Sequence, residues 1–442
     1  MANYITTSIE WAGKETLEFF FSPNFIGKDP MDTQGVRIIP NVQSVQKLNF
    51  ISQNGKITKA YAQGFTGTQA ESYTQRSLTV YQMKAEKEQD ANEFYQTVLE
   101  QVQAKGYQWN DVKASAGGII NEIVMTPFLN AMKADMFRIF WLADTAKQTI
   151  TNGIYDGTAD ADYNAFDGML KLLIDNAATS PTASQFKKVA MAHAAVAQVD
   201  THTFTGTTGT VSVTVNGTAY VSAAFDTSLT VTCAAFVATH ATALALLDVV
   251  ATSSGAKVTL TSSRAGRPFL SVAADNVAGD LAGSKAATTA TTAPAALATD
   301  EAIGYFKSLY ETADINLRKL PRTEKVFLVD DDTYYNLEDT LDTDGTEIAR
   351  QLLADGTVVL KYKGITVMNL GWNEYLDADF PAGYPNIIIY TSNQNLVLGL
   401  DTTDESAMIE EWYNSDLQLN RWRSQYKMGA NYVHAAYTAI AF

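Results

Sequence analysis

The chain has 442 residues, of which 46% are hydrophobic and 18% charged, a balance typical of a globular protein rather than a disordered one. Its formal net charge of −16 argues against sequence-independent binding of DNA or RNA, because such binding requires clustered lysine and arginine. The length allows one large domain or two to three ordinary ones.

Cysteine usage and hydropathy indicate where the chain folds. Cys233 is the single cysteine, so no intrachain disulfide forms and we expect folding in a reducing cytoplasm. The opening residues, MANYITTSIEWAGKETLEFF, have neither a basic segment nor an uninterrupted apolar one, so we expect no secretory signal. No apolar run approaches the ~20 residues that span a bilayer, so we expect no membrane association.

The first predicted element is a long two-stranded excursion at residues 36–84. The strand-forming runs of the excursion, such as KLNFIS and QRSLTVYQ, are separated by glycine, glutamine, serine and threonine. A long polar hairpin of this kind is marginal by itself, so it needs the body of its own subunit or a neighbour. Helices are predicted next, at about residues 90–104 and 117–149.

Residues 201–299 differ in composition from the rest of the chain. They hold eight of the eighty charged residues and none of the six tryptophans. The run TVSVTVNGTAYVSAAF at 210–225 predicts a β-hairpin, because Asn-Gly supplies the positive φ angles of a two-residue turn. A helix with Phe236 and His240 on its apolar face follows, and then two more strands. The pattern predicts a small β-rich module of ββαββ order, closed by the linker GSKAATTATTAPAALAT.

The segments on either side of this module are predicted to be helical. NAFDGMLKLLIDNA and SQFKKVAMAHAAVAQV precede it, and EAIGYFKSLYETADINLRKL follows it, with Asp300 as the predicted N-cap. Because the chain enters and leaves through helix ends, we interpret residues 201–299 as an inserted domain. The host is then discontinuous, with its parts at residues 85–200 and 300–442.

The last third of the chain predicts a sheet. Its strands are KVFLV, TVVLKYKGITVMNLG, NIIIYTSNQNLVLGL and a closing run, GANYVHAAYTAIAF. The closing run is apolar on both faces, which indicates a buried strand. Together with the helices, these strands predict an α+β fold.

Sequence motifs of catalysis and metal binding are missing. None of the four histidines lies in a zinc-binding pattern, and no phosphate-binding glycine loop or G-x-S-x-G motif occurs. The acidic stretch VDDDTYYNLEDTLDTDGTEIARQ lacks two of the strongest EF-hand ligands, so it favours a solvated loop over weak Ca²⁺ binding. Structural roles are expected for His240 and Cys233. We therefore expect no catalytic residue, no metal and no cofactor.

Aromatic and basic residues alternate in EWYNSDLQLNRWRSQYKM. Stacking rings with interleaved charges are one way to bind single-stranded nucleic acid, but tryptophan and arginine are also enriched at subunit contacts. The acidic net charge favours the contact. The candidate subunit contacts are Tyr61, Phe65, Trp412, Arg421, Trp422 and Arg423.

The order of these elements resembles that of tailed-phage major capsid proteins of the Hong Kong 97 phage type. Residues 1–35 are similar to that family's N-terminal arm, residues 36–84 to its extended E-loop, and the following helices to its spine helix. VVLKYKGITVMNL and NIIIYTSNQNLVLGL resemble its central sheet, and YKMGANYVHAAYTAIAF resembles its closing strand. The module at 201–299 resembles small β-rich domains that some of these proteins carry.

The resemblance implies a structural protein, not an enzyme, that assembles with itself. Hexamers and pentamers would form the icosahedral shell that encloses the genome of a tailed bacteriophage. The implied location is the virion capsid, assembled in the cytoplasm of the host bacterium. Portal, scaffold or decoration proteins are the implied partners, with packaged DNA nearby only non-specifically.

Three other classes of protein stay open at this point. A phage tail tube or sheath protein also polymerises, but the long helix predicted at 117–149 counts against it. A surface carbohydrate-binding protein would use the threonine-rich module, but the expected lack of a secretory signal counts against it. An enzyme of an unfamiliar family is disfavoured because the sequence contains none of the catalytic or metal-binding motifs named above.

Overall fold

The computed structural model describes the chain in segments. The described residues are 35–53, 58, 60–61, 63–64, 71–90, 131–132, 135–151, 154–192, 196–263, 268–274, 279–289, 297–343, 350–352, 358–371, 386–401, 409–414 and 419–442.

β-Strands dominate the described residues. They are β1 (Val36–Ile39), β2 (Val45–Gln53), β3 (Glu71–Thr79), β4 (Tyr81–Asp90), β5 (Gln148–Thr151), β6 (Ile154–Ala159), β7 (Ala177–Ala178), β8 (Phe186–Val189), β9 (Val199–Thr205), β10 (Thr210–Val215), β11 (Thr218–Ala224), β12 (Val249–Ser254), β13 (Lys257–Ser262), β14 (Ser271–Ala274), β15 (Ala282–Thr289), β16 (Lys325–Val329), β17 (Arg350–Leu352), β18 (Val358–Tyr362), β19 (Ile365–Asn369), β20 (Ile388–Ser392), β21 (Leu396–Leu400), β22 (Ile409–Asn414), β23 (Leu419–Tyr432) and β24 (Thr438–Ala441).

Helices are fewer and mostly short. They are α1 (Met169–Asp175), α2 (Leu229–Ala245), α3 (Ala302–Thr312), α4 (Ile315–Lys319) and α5 (Asp331–Thr343), with 3₁₀ turns at Arg322–Glu324 and Ala435–Tyr437. Residues 131–132 and 135–142 are also helical.

One sheet joins the two ends of the described chain. Its order is β1-β21-β23-β22, and β4 also pairs with β23. β1 lies parallel to β21, whereas β4 runs antiparallel to β23 with Tyr81 opposite Met428 and Asp90 opposite Leu419. The longest strand, β23, thus ties early and late parts of the chain together.

A second sheet has eight strands in the order β17-β18-β19-β16-β20-β24-β8-β7. Every residue of β16 and of β20 is buried, as expected for continuous apolar runs with both faces covered. Strand alternation divides β16 between two cores. Val326 and Leu328 pack into the cluster that contains the helical residues 135–142, while Phe327 and Val329 pack with α3 and α5.

Residues 199–289, which we name the threonine-rich module, have a core of their own. Two sheets, β11-β10-β14 and β12-β13-β9-β15, pack with α2 around Phe204, Val213, Phe236 and Leu260. The alternation in β10 explains this arrangement, because Val213 and its valine neighbours at alternate positions face the core.

Several sequence predictions are confirmed. The fold is α+β, and β2 pairs with β3 along nine residues within the predicted excursion. Asn216 and Gly217 have φ angles of 48° and 83° at the predicted hairpin turn. The closing strand β24 is buried throughout.

Other secondary-structure predictions are wrong. SQFKKVAMAHAAVAQV is not helical at its start, because β8 adds to the eight-stranded sheet by pairing with β24. The predicted linker begins as β15, which pairs with β9, so the module has three strands (β9, β12 and β15) beyond the predicted ββαββ order. Asp300 does not cap α3, since its own φ is 63° and Glu301 occupies the N-cap position.

The acidic stretch and the early helices also differ from prediction. The acidic residues form α5 rather than a loop, because Asp330 caps the helix by accepting hydrogen bonds from the backbone and side chain of Thr333. Among the described residues of 117–149, only 131–132 and 135–142 are helical. The predictions for residues 1–34 and 91–104 lie outside the described residues.

Candidate self-assembly surface

The hairpin of β2 and β3, which we name the arm, projects an open two-stranded ribbon. Nine residue pairs join the strands, from Val45 opposite Thr79 to Gln53 opposite Glu71. At about 3.4 Å per residue this is a ribbon roughly 30 Å long. In the part of the chain that the structure describes, neither strand pairs with a third strand. The outer edge of β2 therefore offers backbone donors and acceptors to another chain, whereas on β3 the carbonyl of Ser77 already accepts from Asn431.

The root of the arm is seated on a pair of glycines. Gly399 of β21 lies opposite Gly429 of β23, and the end of β3 crosses over both. A Cβ at Gly429 would collide with the carbonyl oxygen of Thr79, and a Cβ at Gly399 would lie 2.8 Å from Leu78 Cδ2. Only two residues without side chains allow the strands to approach this closely.

Apolar and aromatic contacts fix the same root. Leu48 and Leu78 are buried in a small core cluster with Val397 of β21. The ring of Phe50 lies 4.5 Å from that of His434. The guanidinium carbon of Arg76 lies 3.8 Å from the centroid of the Tyr432 ring, a cation–π contact. The inner face of the arm is thus held by its own subunit.

The outer face of the arm is exposed. Ile51 and Tyr73 are cross-strand neighbours, with 60% and 69% of their surface exposed, and Val45 is half exposed on the same face. Between them, the amide of Gln75 donates a hydrogen bond to Asn49 Oδ1 at 2.7 Å. Exposed large apolar side chains on an open ribbon are typical of a surface that a partner covers.

The structure places the two candidate contacts of the excursion differently. Tyr61 is 96% exposed in the connection between β2 and β3, so it is free to meet another molecule. Phe65 lies outside the described residues. Tyr61 therefore stays a candidate contact.

Three of the other candidates lie together on the sheet of β4, β22 and β23. Trp412 of β22 is opposite Arg421 of β23, and Arg423 is opposite Glu410. Arg421 Nε donates to Glu88 Oε2 of β4 at 2.9 Å, and Arg423 donates to Glu410. The cations are paired within the subunit, so this face lacks the free positive charge that phosphate binding requires.

Trp422 occupies a different place from the one predicted. It is 3% exposed and belongs to the core cluster that contains the helical residues 135–142. Alternation along β23 explains the difference, because Arg421 and Arg423 point to one side and Trp422 to the other. Trp422 therefore stabilises its own subunit, and its expected role as a subunit contact is wrong.

Titratable groups at the root of the arm are shifted by burial. Burial lowers the pKa of His434, and the Arg76 guanidinium lowers it further against the opposing effect of Asp314. Burial likewise raises the pKa of Tyr432. A neutral His434 suits its contact with the ring of Phe50.

One cluster in the threonine-rich module brings together serine, histidine and aspartate. Ser271 Oγ donates to Asp200 Oδ2 at 2.6 Å and lies 2.9 Å from His202 Nε2. Lys285 Nζ lies 2.7 Å from the same carboxylate oxygen. Because the serine proton goes to Asp200, His202 carries its own proton on Nε2. All three members of the cluster are buried, so this arrangement is structural rather than an accessible nucleophile.

This cluster makes the module sensitive to acid. Burial lowers the pKa of His202 to about 4, and His202 Nδ1 is buried without a hydrogen-bond partner. Burial raises the pKa of Asp200, but hydrogen bonds from Lys285, Ser271 and Gln198 outweigh that effect and lower it overall. A proton added at Nδ1 would therefore be desolvated and would meet no acceptor.

We predict that the module loses about 3 kcal/mol of stability between pH 6.5 and pH 4. The folded histidine binds its proton more weakly than the unfolded one, so its contribution is present above pH 6.5 and is lost as the pH falls. His202→Gln keeps a donor for Ser271 and should remove this dependence, whereas His240→Gln in α2 should keep it. Calorimetry of the full chain from pH 7 to pH 4 measures the difference, and equal acid sensitivity of both variants would contradict the assignment.

The described residues contain neither a candidate metal site nor a membrane-spanning helix. Among the described residues, no group of three or more histidine, cysteine or acidic side chains could hold a metal ion. No described helix has the length and apolar character needed to cross a bilayer. Cys233 is buried, and burial raises the pKa of its thiol.

Sequence reasoning missed the glycine pair on which the arm lies. Gly399 lies in the run NLVLGL and Gly429 in YKMGAN, each a glycine within a predicted strand. A glycine inside a strand pattern marks a close approach of another backbone, and this was the available signal.

Comparisons with known proteins found similar chains among solved structures. No protein-family model matches the sequence, and neither does any curated protein. Among solved structures, the capsid of Myoviridae Phage XM1 is similar with a TM-score of 0.40 and 9% identity, covering 100% of this chain and 95% of that one. The capsid of the Cyanophage P-SCSP1u has a TM-score of 0.39 and 10% identity, covering 100% and 90%. All are capsids. The capsid of the empty GTA particle has a TM-score of 0.40 and 10% identity, covering 93% and 90%.

Proposed function

We propose that this chain is the structural subunit that assembles with copies of itself into the icosahedral capsid of a tailed bacteriophage. The observation that carries the proposal is the arm. Its inner face is held by its own subunit, while the large apolar side chains of Ile51 and Tyr73 are exposed on its outer face. A ribbon of this kind is marginal alone and becomes stable when another copy covers it.

The geometry suits heterologous contacts. The outer face of a ribbon about 30 Å long on one subunit meets a different surface on the next, and such contacts close into rings when the rotation between copies closes. Hexamers and pentamers are the rings that an icosahedral shell needs. Each contact is modest, but many act together on one particle.

The remaining parts of the proposal follow the sequence resemblance. Residues 1–35 would be an N-terminal arm, which is separate from the β2–β3 arm. Residues 36–84, which contain the β2–β3 arm, would be the E-loop, and residues 85–200 with 300–442 would be the discontinuous core. Residues 201–299 would be an inserted domain, which the separate core of the threonine-rich module supports. Tyr61, Arg421, Arg423 and the register position of Trp412 stay candidate subunit contacts, and Phe65 stays one from sequence alone.

The proposed role is structural and not enzymatic, with the virion capsid as the location and the host cytoplasm as the place of assembly. The buried Ser271 and the paired arginines of β23 support this assignment, because neither offers an accessible reactive or phosphate-binding group. Portal, scaffold or decoration proteins would be additional partners, and the enclosed DNA would be near the subunit without specific contacts.

Expression of the full chain alone tests the proposal. Negative-stain electron microscopy and sedimentation should find closed shells, or free pentamers and hexamers. Open tubes would favour a tail tube or sheath protein instead. A chain that stays monomeric at every accessible concentration would contradict self-assembly.

A further inference from the structure

The outer face of the β11-β10-β14 sheet is exposed and carries no charge. Its central row is Ser212 and Thr214 of β10, and Val221 of β11 lies opposite Ser212. Val272 of β14 lies opposite Thr214, and the adjacent Leu270 continues the same face. Val221, Val272 and Leu270 are 46%, 52% and 56% exposed. Two apolar rows thus flank a central row of hydroxyl groups.

The charge of the module limits what can cover this face. Residues 199–289 contain five aspartates, no glutamate and four lysines and arginines, which leaves a net charge of −1 out of the chain's −16. Copies of the rest of the chain repel one another, whereas copies of the module do not. A neutral face also offers nothing to a strongly acidic or basic partner, so the best electrostatic match is another neutral surface.

The pattern on the face is complementary to itself. A two-fold axis in the plane between two such faces puts the central hydroxyl row of one copy against that of the other. An axis parallel or perpendicular to the strands also puts apolar rows against apolar rows. Isologous contacts require this kind of self-complementary surface.

We propose that this face is a contact between the threonine-rich modules of two neighbouring copies, formed about a two-fold axis. The inference rests on the proposed shell function, which brings the modules to high local concentration. Three short strands cover far less than the roughly 800 Å² per partner of a stable interface. The contact is therefore weak between free chains and effective only between copies held in one particle.

Cysteine cross-linking of the full chain tests this contact. Thr214→Cys puts a thiol on the central row, and Thr259→Cys puts one on β13, on the outer face of the other sheet. Both threonines are half-buried on central strands, and the native Cys233 is buried. A short bismaleimide bridges thiols on sheets packed about 10 Å apart. Assembled particles of T214C should give a several-fold excess of cross-linked dimer over T259C particles and over the unmodified chain.

A second substitution checks the face itself. Val221→Asp added to T214C should abolish the excess, because it buries a carboxylate against an apolar row of the facing module. Thr252→Asp, on the face of Thr259, should leave the excess unchanged. Equal cross-linking of T214C and T259C in particles would overturn the proposal.

The same experiment separates this inference from the proposed function. If no particles form, the shell assignment fails by itself, and cross-linking of the concentrated free chain then tests the face. A T214C excess that grows with concentration and disappears with Val221→Asp supports the module contact without a shell. Equal dimer yields from T214C and T259C in the free chain would overturn it.

Discussion

A chain carrying Ile51→Lys and Tyr73→Glu is expected to fold normally and to form no shells. The two side chains are cross-strand neighbours on the exposed outer face of the arm, so neither supports the core of its own subunit. Burying both in a contact stabilises it by about 3 kcal/mol or more. Because this loss recurs at every contact of the particle, assembly should fail altogether.

The pair of substitutions is chosen to leave the hairpin intact. Lysine opposite glutamate is a favourable cross-strand pair, and the net charge of −16 does not change. Sedimentation and electron microscopy measure assembly, while circular dichroism and thermal unfolding measure folding. Shells at the wild-type yield would show that the outer face of the arm is not a contact.

Asn49→Lys with Gln75→Glu is the matched control. These residues form the next cross-strand pair on the same face and already hydrogen bond to each other. The control introduces the same charges but removes no large apolar side chain, so it should assemble. Failure of both variants would assign the effect to charge rather than to the apolar contact.

Local patterns in the sequence predicted elements whose cause is local. The Asn216–Gly217 turn and the alternating valines of β10 define their hairpin within sixteen residues, 210–225, so sequence reasoning found it. The run KVFLV likewise indicated a strand, because no polar residue interrupts it after its first position.

Predictions were wrong where the structure of a segment depends on a distant partner. β8 is a strand only because β24, at the end of the chain, lies beside it. β15 has the composition of a linker and becomes a strand because β9 provides its partner. Trp422 was predicted as a contact because it alternates with Arg421 and Arg423 and because tryptophan and arginine are enriched at subunit contacts, whereas strand alternation turns it inward. Pairing and alternation decide these cases, and neither is visible in composition.

The candidate surface was predicted in part. The excursion and its exposure to neighbours followed from its length and polarity, and Tyr61 is exposed as a contact requires. The apolar pair of Ile51 and Tyr73 was not singled out, because register between the strands was needed to bring them together. Predicting the role of the Gly399–Gly429 pair required knowing which strand crosses β21 and β23.

Gly429→Ala is expected to destabilise the chain by roughly 4 kcal/mol, a loss typical of severe overpacking. The added Cβ would collide with the backbone carbonyl of Thr79, and a backbone atom cannot rotate away as a side chain can. The end of β3 must therefore lift from β23, which also loosens the burial of Leu78 and the hydrogen bond from Asn431 Nδ2 to Ser77 O at 2.8 Å. Gly304→Ala is the matched control, because no atom other than those of its chain neighbours and its own helix backbone lies within 4 Å of its Cβ position. It occupies helix α3, where alanine should stabilise by up to about 1 kcal/mol. Thermal and urea unfolding of the two variants measures both effects.

Gly429→Ala with wild-type stability would mean that the arm does not rest on the glycine pair. The outer face of the arm would then lose the fixed position that its proposed contacts with neighbouring copies require.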